Sequence, residues 1–398
     1  VSRFRLYPTT EQAAALLAQC GHARFVWNLA LEQWSMWTRD KPPAPSHGER
    51  CRQLTTARAA FGWLREGSQT VQQQALRDFD QAVRDFYSRT HGRPTWRKAG
   101  QHEGFRITGN QASRVIKLNR KWRAVNVPKV GWVRFRASRE VPPARSYRVT
   151  HDRVGRWHIA FAWVPPVIQA PGNDAVVGVD RGVAVSAALS TGELLQCPEL
   201  SRAEKDRLIH LQRRLARSRR GSHRRARLKA AIAKFYARAA DRRKDWVEKL
   251  STDLARRFDV VRVEDLHVAQ MTRRAKPKPD IERPGHYLRN GRRAKAGLNR
   301  GILNNAWGQL LIRLEQKAPG RVQKIPAAYT SQTCHVCGHC TARNRESQAR
   351  FRCVACGLVA NADTNAALNI AAGRAVSARR EAPFRASPKR EPQPATSV

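Results

Sequence analysis

Through its first hundred residues the chain places apolar side chains at helical spacing, and through the next sixty at strand spacing. Leu16, Leu17, Phe25, Val26, Leu29 and Trp34 recur at a period near 3.6. Thr9 and Gln12 ahead of them have the spacing of a capping box, in which each side chain accepts from the other residue's backbone N–H. A second helix is predicted from Ser68 to about Arg89, with Val71, Ala75, Leu76, Phe79, Val83 and Phe86 on one side. From Phe105 to Val164 the pattern becomes short runs rich in Val, Ile, Trp and Phe (VIKLN, WVRFRA, YRVTHD, WHIAFAWV) separated by Gly and Pro, the signature of a small antiparallel sheet or barrel. The opening run RFRLY suits the same sheet, which would make the helices an insertion within a β domain.

After PPVIQAPGND the pattern changes again. Residues 175–180 and 183–189 read as two strands, and FDVVRVEDLHV as a third ending at Glu264. Between them Leu208, Leu211 and Leu215, then Leu228, Ile232, Phe235, Ala239, Trp246 and Leu250, form stripes on either side of RRGSHRR, as two helices joined by a turn would. Residues 271–297 have little periodicity and many charges, Gly and Pro, and read as a mobile basic loop. A helix is predicted from about Leu298 to Ala318 and a strand over RVQKIPAAY. The tail beyond about Gly373, rich in Ala, Arg, Pro and Ser, reads as disordered.

Charge narrows what such a chain can bind. Lys and Arg number 75 against 31 Asp and Glu, a net charge of +44. That excess opposes compaction by self-repulsion unless a polyanion neutralises it, and nucleic acid is the usual one. The two-helix region is the most unbalanced, with 18 Lys or Arg against 5 Asp or Glu over 202–249. A solvated hairpin is the plain alternative there, but a nearby phosphate backbone accounts better for the imbalance. The opening VSRFRLYPTTEQ lacks the apolar core of a signal peptide. The longest uncharged stretch, Trp157 to Asn173, is broken by Pro165, Pro166 and Pro171, so no membrane-spanning segment is expected. At 398 residues, two or three domains are expected.

Of the 8 cysteines, Cys334 and Cys337 form one CxxC pair, and Cys353 and Cys356 a second beyond a 15-residue spacer. Two knuckles facing each other supply the tetrahedral sulfur shell that zinc prefers, and such a closed shell makes the metal structural. A redox dithiol needs one CxxC at a helix start, not two matched pairs. Cys340, His335 and His339 crowd the first knuckle as secondary candidates. Three acids stand at marked positions in this basic chain: Asp180 and Glu264 at the ends of apolar strands, and Asp363 at the head of DTNAALNIAAG. Singly they suit a turn, a strand end and a helix N-cap. Together they suit phosphodiester hydrolysis, in which carboxylates hold two divalent ions; hard oxygen ligands favour Mg2+ or Mn2+.

The segments GVDRGVAVSAALS, VVRVEDLHV and NADTNAALNI resemble the three split motifs of a RuvC-type nuclease, a ribonuclease H-like fold. With the four-cysteine segment before the third motif, and RFRLYPTTEQ and HARFVWNLAL at the start, the chain resembles the TnpB family from about Phe4 to Ile370. TnpB proteins are transposon-encoded RNA-guided nucleases related to type V CRISPR effectors. The resemblance implies a multidomain α+β protein: a wedge-like β-barrel (1–10 and 101–170) interrupted by a helical recognition lobe (11–100), then a RuvC-like α/β core (171–328 and 361–373) with a zinc ribbon inserted (329–360). It implies Asp180 as the acid shared by two Mg2+ ions, Glu264 and Asp363 completing their shells, and Asp265, on the opposite face of its strand, as second choice for Glu264. Arg181 follows Asp180 where many members carry an apolar residue.

The partners implied are a guide RNA from the transposon end and double-stranded target DNA. The protein would read a short flanking motif while base pairing reads the rest, with a monomer carrying the RNA in the cytoplasm at the nucleoid. The basic helices and HGRPTWRKAG would track the guide and heteroduplex, with Trp96 either stacking on a base or lying in a core. Two other readings remain at this stage. An RNA-guided repressor without cleavage should have lost one of the three acids, and a ribonuclease H-like transposase or resolvase generally lacks so long an N-terminal half.

Overall fold

The computed structural model describes residues 2–37, 40, 43–101 and 103–373, so the expected disordered tail, 374–398, lies outside the described residues. The chain divides into two units, one formed by Val1–Pro165 with Asp206–Ala237, the other by Pro166–Lys205 with the chain from Arg238 onward.

The first unit begins with β1 (Ser2–Tyr7), passes through α1 (Thr10–Ser35), α2 (His47–Ala60), α3 (Gly62–Glu66) and α4 (Gln69–Tyr87), and returns to β2 (Gly104–Thr108), β3 (Val115–Lys117), β4 (Trp122–Val127), β5 (Gly131–Arg136), β6 (Ser146–His151) and β7 (Trp157–Phe161). The predicted capping box starts α1: Gln12 N donates to Thr9 Oγ1 at 3.2 Å, and Thr9 N to Gln12 Oε1 at 3.1 Å. Helices α1 and α4 pack through Trp27 and Phe79, whose rings meet edge to face at 5.4 Å. The periodicity left α2 and α3 unannounced because they bury little: among the residues of α2 only Arg50 and Leu54 are buried.

The strands form one antiparallel sheet in the order β2-β6-β7-β1-β5-β4-β3. RFRLY is central to it, with Leu6 opposite Phe135 on one side and Trp157 on the other. Phe4 and Leu6 enter the core while Arg3 and Arg5 face solvent, the period-2 alternation of a one-sided sheet. The wedge-like β-barrel expected from the resemblance takes the form of a curled half-barrel sheet. Strands β2 and β3 are its two edges, and β3, three residues long with Ile116 and Lys117 exposed, is too short to carry the ladder round.

In chain order the remaining elements are β8 (Val176–Asp180), β9 (Ala187–Leu189), β10 (Leu194–Leu195), α5 (Arg202–Ala216), α6 (His223–Arg257), β11 (Val260–Glu264), α7 (Val268–Met271), β12 (Lys278–Pro279), β13 (Tyr287–Leu288), α8 (Arg292–Asn304), α9 (Trp307–Lys317), β14 (Val322–Ile325), β15 (Arg350–Arg352), β16 (Val359–Asn361) and α10 (Ala362–Ala371). The basic stretch forms the predicted pair of helices, α5 and α6. The second unit's main sheet has the order β10-β9-β8-β11-β14, parallel across β8, β11 and β14 and antiparallel from β8 to β9 and β9 to β10. Val177, Val179, Val261 and Val263 are all buried in its core. Among the described residues, no helix is long and apolar enough to cross a membrane.

Three expectations shift. The strand expected over 183–189 covers only Ala187–Leu189, because the residues before it form a connection whose Val183 carbonyl accepts from Asn305 Nδ2 at 3.2 Å. The single helix expected over 298–318 is two helices, broken at Asn305 and Ala306, where Ala306 takes φ 56° and Asn305 turns its amide to Val183. The expected loop 271–297 contains the short β12–β13 hairpin and the first turns of α8.

Helix α10 crosses β8 so closely that a Cβ on Gly178 would sit 2.0 Å from the Ala367 carbonyl oxygen and 2.4 Å from Ala371 N. Both neighbours are backbone and cannot swing aside. Gly178→Ala is therefore expected to destabilise the folded protein by about 3 kcal/mol or more, read as a lower denaturant midpoint, since overpacking here must move a helix.

Candidate functional site

Asp180 and Glu264 end two adjacent parallel strands. The register pairs Val176 with Val260 and Val179 with Val263, so the next residue of each strand is the acid. Carboxyl ends of parallel strands are where open α/β sheets present ligand-binding groups. The close crossing of α10 brings Asp363 to the same end. Asp363 is not the helix N-cap, one of its plain readings: Asn361 holds that place, its Oδ1 accepting from Asp363 N at 3.0 Å and Thr364 N at 3.1 Å. The Asp363 carboxylate is thereby left to face the sheet end, where Arg345 Nη2 stands 3.6 Å from its Oδ1. Asp265, one residue beyond β11, is exposed, while Glu264 is buried.

The acids feel one another. Burial, then the charges of Glu264 and Asp363, push the Asp180 carboxyl up from 3.8 to about 7, with Arg345 and the Arg181 amide opposing them. Burial also raises Asp363, against the pull of Arg345. Arg181, buried at 4% exposure, donates from Nη2 to the Glu264 carbonyl, and burial lowers its pKa against the attraction of Glu264, Asp180 and Asp265. Arg345 and Arg181 are thus cations set beside these acids.

Three residues that the sequence reading missed hold this arrangement. Thr330 Oγ1 donates to Glu264 Oε1 at 2.7 Å. Fully buried Asn369 donates from Nδ2 to the carbonyls of Thr330 at 2.9 Å and Thr333 at 2.7 Å. Fully buried Asn365 donates to Thr333 O at 2.8 Å and accepts from His335 N at 3.1 Å. Two asparagines four apart in the apolar run NAALN were the available signal, since amides buried on one helix face must be bonded.

The segment that Asn365 and Asn369 grip leads directly into the cysteines. The four sulfurs of Cys334, Cys337, Cys353 and Cys356 all lie within 4.8 Å of one another, with Cys334–Cys356 at 3.7 Å and Cys337–Cys353 at 3.5 Å. A tetrahedral zinc–thiolate shell has edges of roughly 3.8 Å, so the residues fit that ion. The two knuckles match. Gly338 N donates to Cys334 O and Gly357 N to Cys353 O, each at 2.9 Å, and both glycines take φ 75°, a conformation that side chains resist. Cys340, His335 and His339 stay outside the group; His335 Nδ1 lies 2.9 Å from Asn365 Oδ1 instead.

Three family models match: "Cas12f1-like, TNB domain" over residues 307–370, "Probable transposase" (OrfB_IS605) over 147–275, and "Helix-turn-helix domain" (HTH_OrfB_IS605) over 2–41. "Putative RNA-guided DNA endonuclease InsQ" of Escherichia coli (strain K12) is 32% identical over 94% of this chain and 92% of its own length. The chain belongs to the TnpB family. A second TnpB-like relative, "Putative RNA-guided DNA endonuclease" of Streptomyces pristinaespiralis, is 31% identical over 99% of this chain and 96% of its own. The protein in "Cryo-EM structure of the Cas12f1-sgRNA-target DNA complex" shares the fold, with a TM-score of 0.52 at 13% identity over 91% of this chain and 83% of that one. In this TnpB-family chain the stretch matched as helix-turn-helix folds as β1 followed by the single long helix α1.

Two measurements check these centres. The purified TnpB-family protein should carry about one zinc per chain by elemental analysis, and Cys356→Ser should lose it and become protease-sensitive between 329 and 360, since a zinc shell contributes on the order of 10 kcal/mol to folding. Asp180 has a folded pKa of about 7 against an ordinary 3.8, so between those values the folded state holds the extra proton and stability falls as pH rises. In magnesium-free buffer Asp180→Asn should therefore unfold at higher denaturant than the parent at pH 8, with the difference vanishing below pH 4.

Proposed function

We propose that this chain is an RNA-guided DNA endonuclease encoded by a transposon, cutting target DNA beside a short flanking motif, with Asp180, Glu264 and Asp363 as its catalytic acids. The observation that carries the reading is the convergence of these acids at one sheet end, where burial and then the charges of Glu264 and Asp363 raise Asp180 to about 7. The strand order β10-β9-β8-β11-β14, antiparallel then parallel, supports a RuvC-like core of ribonuclease H type, and the open half-barrel with its helical insertion supports a wedge and a recognition lobe. Relatives named RNA-guided DNA endonucleases, aligned over nearly the whole chain, support the substrate and the guide.

The donor set is all carboxylate oxygen, which fits two Mg2+ or Mn2+ ions. When bound, such ions supply Lewis-acid stabilisation of the attacking and leaving oxygens of the phosphodiester. Asp180, central among the acids, would contact both; Glu264 and Asp363 would each complete one shell. Thr330 fixes the Glu264 carboxylate through its 2.7 Å hydrogen bond, and Arg181 fixes the backbone behind it. The four cysteines would hold a structural zinc. The α5–α6 hairpin and the segment HGRPTWRKAG would follow the guide and heteroduplex; Trp96, at 50% exposure, is outside any core and available for stacking. The nucleic-acid partners would place a monomeric protein–RNA complex at the nucleoid in the cytoplasm.

The protein with its copurifying RNA, magnesium and a target plasmid library should yield cut plasmid, and the copurifying RNA should end in variable guide sequence. Intact plasmid with sequence-specific binding retained would instead identify a repressor. Asp180→Ala should lower cleavage at least about a hundredfold while binding persists. Thr330→Val should lower cleavage about tenfold and raise the magnesium needed for half-maximal cutting, with Thr330→Ser close to parental, because a hydrogen bond to a carboxylate contributes about 1.5–3 kcal/mol.

A further inference from the structure

The charged stretch between Glu264 and α9 is not used by the chemistry above, yet it is built against it. Residues 273–300 contain 10 Lys or Arg against 2 acids. Residues 274–277, Asn290 and α8 line an open hollow of about 560 Å3 whose wall includes Arg274, Arg292, Arg293 and Lys295 and no carboxylate. Among the described residues no ion pair reaches any of these four cations. Arg292 and Arg293 occupy the first turn of α8, where the helix dipole disfavours cations, and Asn290 Oδ1 accepts from Arg292 N there at 3.3 Å. Four cations around one hollow with no carboxylate in its wall raise the local positive potential and favour an anion there.

The position of the cavity identifies the anion. Lys295 Nζ donates to Met271 O at 2.7 Å, and Asn299 Nδ2 to Thr272 O at 2.8 Å and Arg273 O at 3.1 Å, which ties α8 to the segment that follows Glu264. At its other end α8 is latched to the loop after Asp180: Asn305 Nδ2 reaches Val183 O, and Gly301 packs so near Val183 that an added Cβ would lie 2.7 Å from Cγ1. One short helix therefore joins the two loops that follow the catalytic acids and carries the basic cavity with it. We propose that this cavity holds backbone phosphates of the DNA strand delivered to Asp180, Glu264 and Asp363. A strand bound there would be anchored by α8 relative to both acids, and the contact is with phosphate oxygens, so it reads no sequence. The inference rests on the RNA-guided nuclease reading.

The test uses the full chain with its RNA, Asp180→Asn in every sample to prevent cutting, and a matched target DNA titrated from low to high salt. Replacing Arg274, Arg292 and Arg293 together by Gln should weaken DNA binding at least tenfold at low salt. It should also flatten the plot of log K against log salt by about 2, since each single-strand phosphate contact contributes roughly 0.7. Each single Arg→Gln change should flatten it by a fraction of that, and the triple Lys variant should restore it. Binding of the guide RNA to the protein alone should be unchanged, and zinc content and melting temperature show whether each variant is folded. An unchanged slope in folded variants overturns the inference, as does an equal loss of guide RNA binding, which would make the cavity an RNA site. If the parental complex shows no guide-dependent DNA binding, the nuclease reading fails first and takes this inference with it.

Discussion

Helix α10 lies against strand β8 with room for only a hydrogen at position 178. Most of what distinguishes the second unit follows from that contact. It sets the depth at which Asp363 meets the ends of β8 and β11, and therefore how strongly the three carboxylates repel one another. Packing this close is enforced by backbone atoms on both sides and leaves no soft side chain to absorb an error. The crossing is reinforced at the helix C-terminus, where Arg262 Nη1 donates to Ala371 O at 2.5 Å.

The opposite side of α10 explains why a cysteine module sits beside a carboxylate site. Asn365 and Asn369 are fully buried, and their amides hold the chain from Thr330 to His335. That chain begins at the hydroxyl bonded to Glu264 and ends in the first knuckle. A buried amide N–H left unpaired costs about 1–3 kcal/mol, so these bonds favour keeping α10 and the Thr330–His335 segment together. The module also contributes Arg345, the cation nearest Asp363, so its folding affects the charge balance of the acids as well as their placement.

Electrostatics joins these local features to the whole molecule. In a chain of net charge +44, buried acids such as Asp180 and Asp363, whose ionisation is opposed first by burial, are the exception, and partners of opposite sign would relieve both extremes: polyanions for the cations, divalent ions for the acids. On the proposed reading, the basic hollow at α8 would take the first kind of partner and the ends of β8 and β11 the second. Helix α8 holds the two within one hydrogen-bonded frame.

Much of this was legible in the residues themselves. Strands β8 and β11, the capping box of α1, the two basic helices and both CxxC pairs could be read directly, because each is a local pattern whose period or spacing carries its own physical reason. The three acids could be nominated because they interrupt or end apolar runs. The open edge of the first sheet, the break at Asn305, the N-cap at Asn361 and the hydroxyl of Thr330 on Glu264 could not. Sheet closure depends on whether two strands far apart in the chain find each other, and the other three depend on side chains whose partners are set by packing. A local pattern names the groups present; only the folded chain decides which stand within hydrogen-bond reach, because that distance is a sum over every element between them.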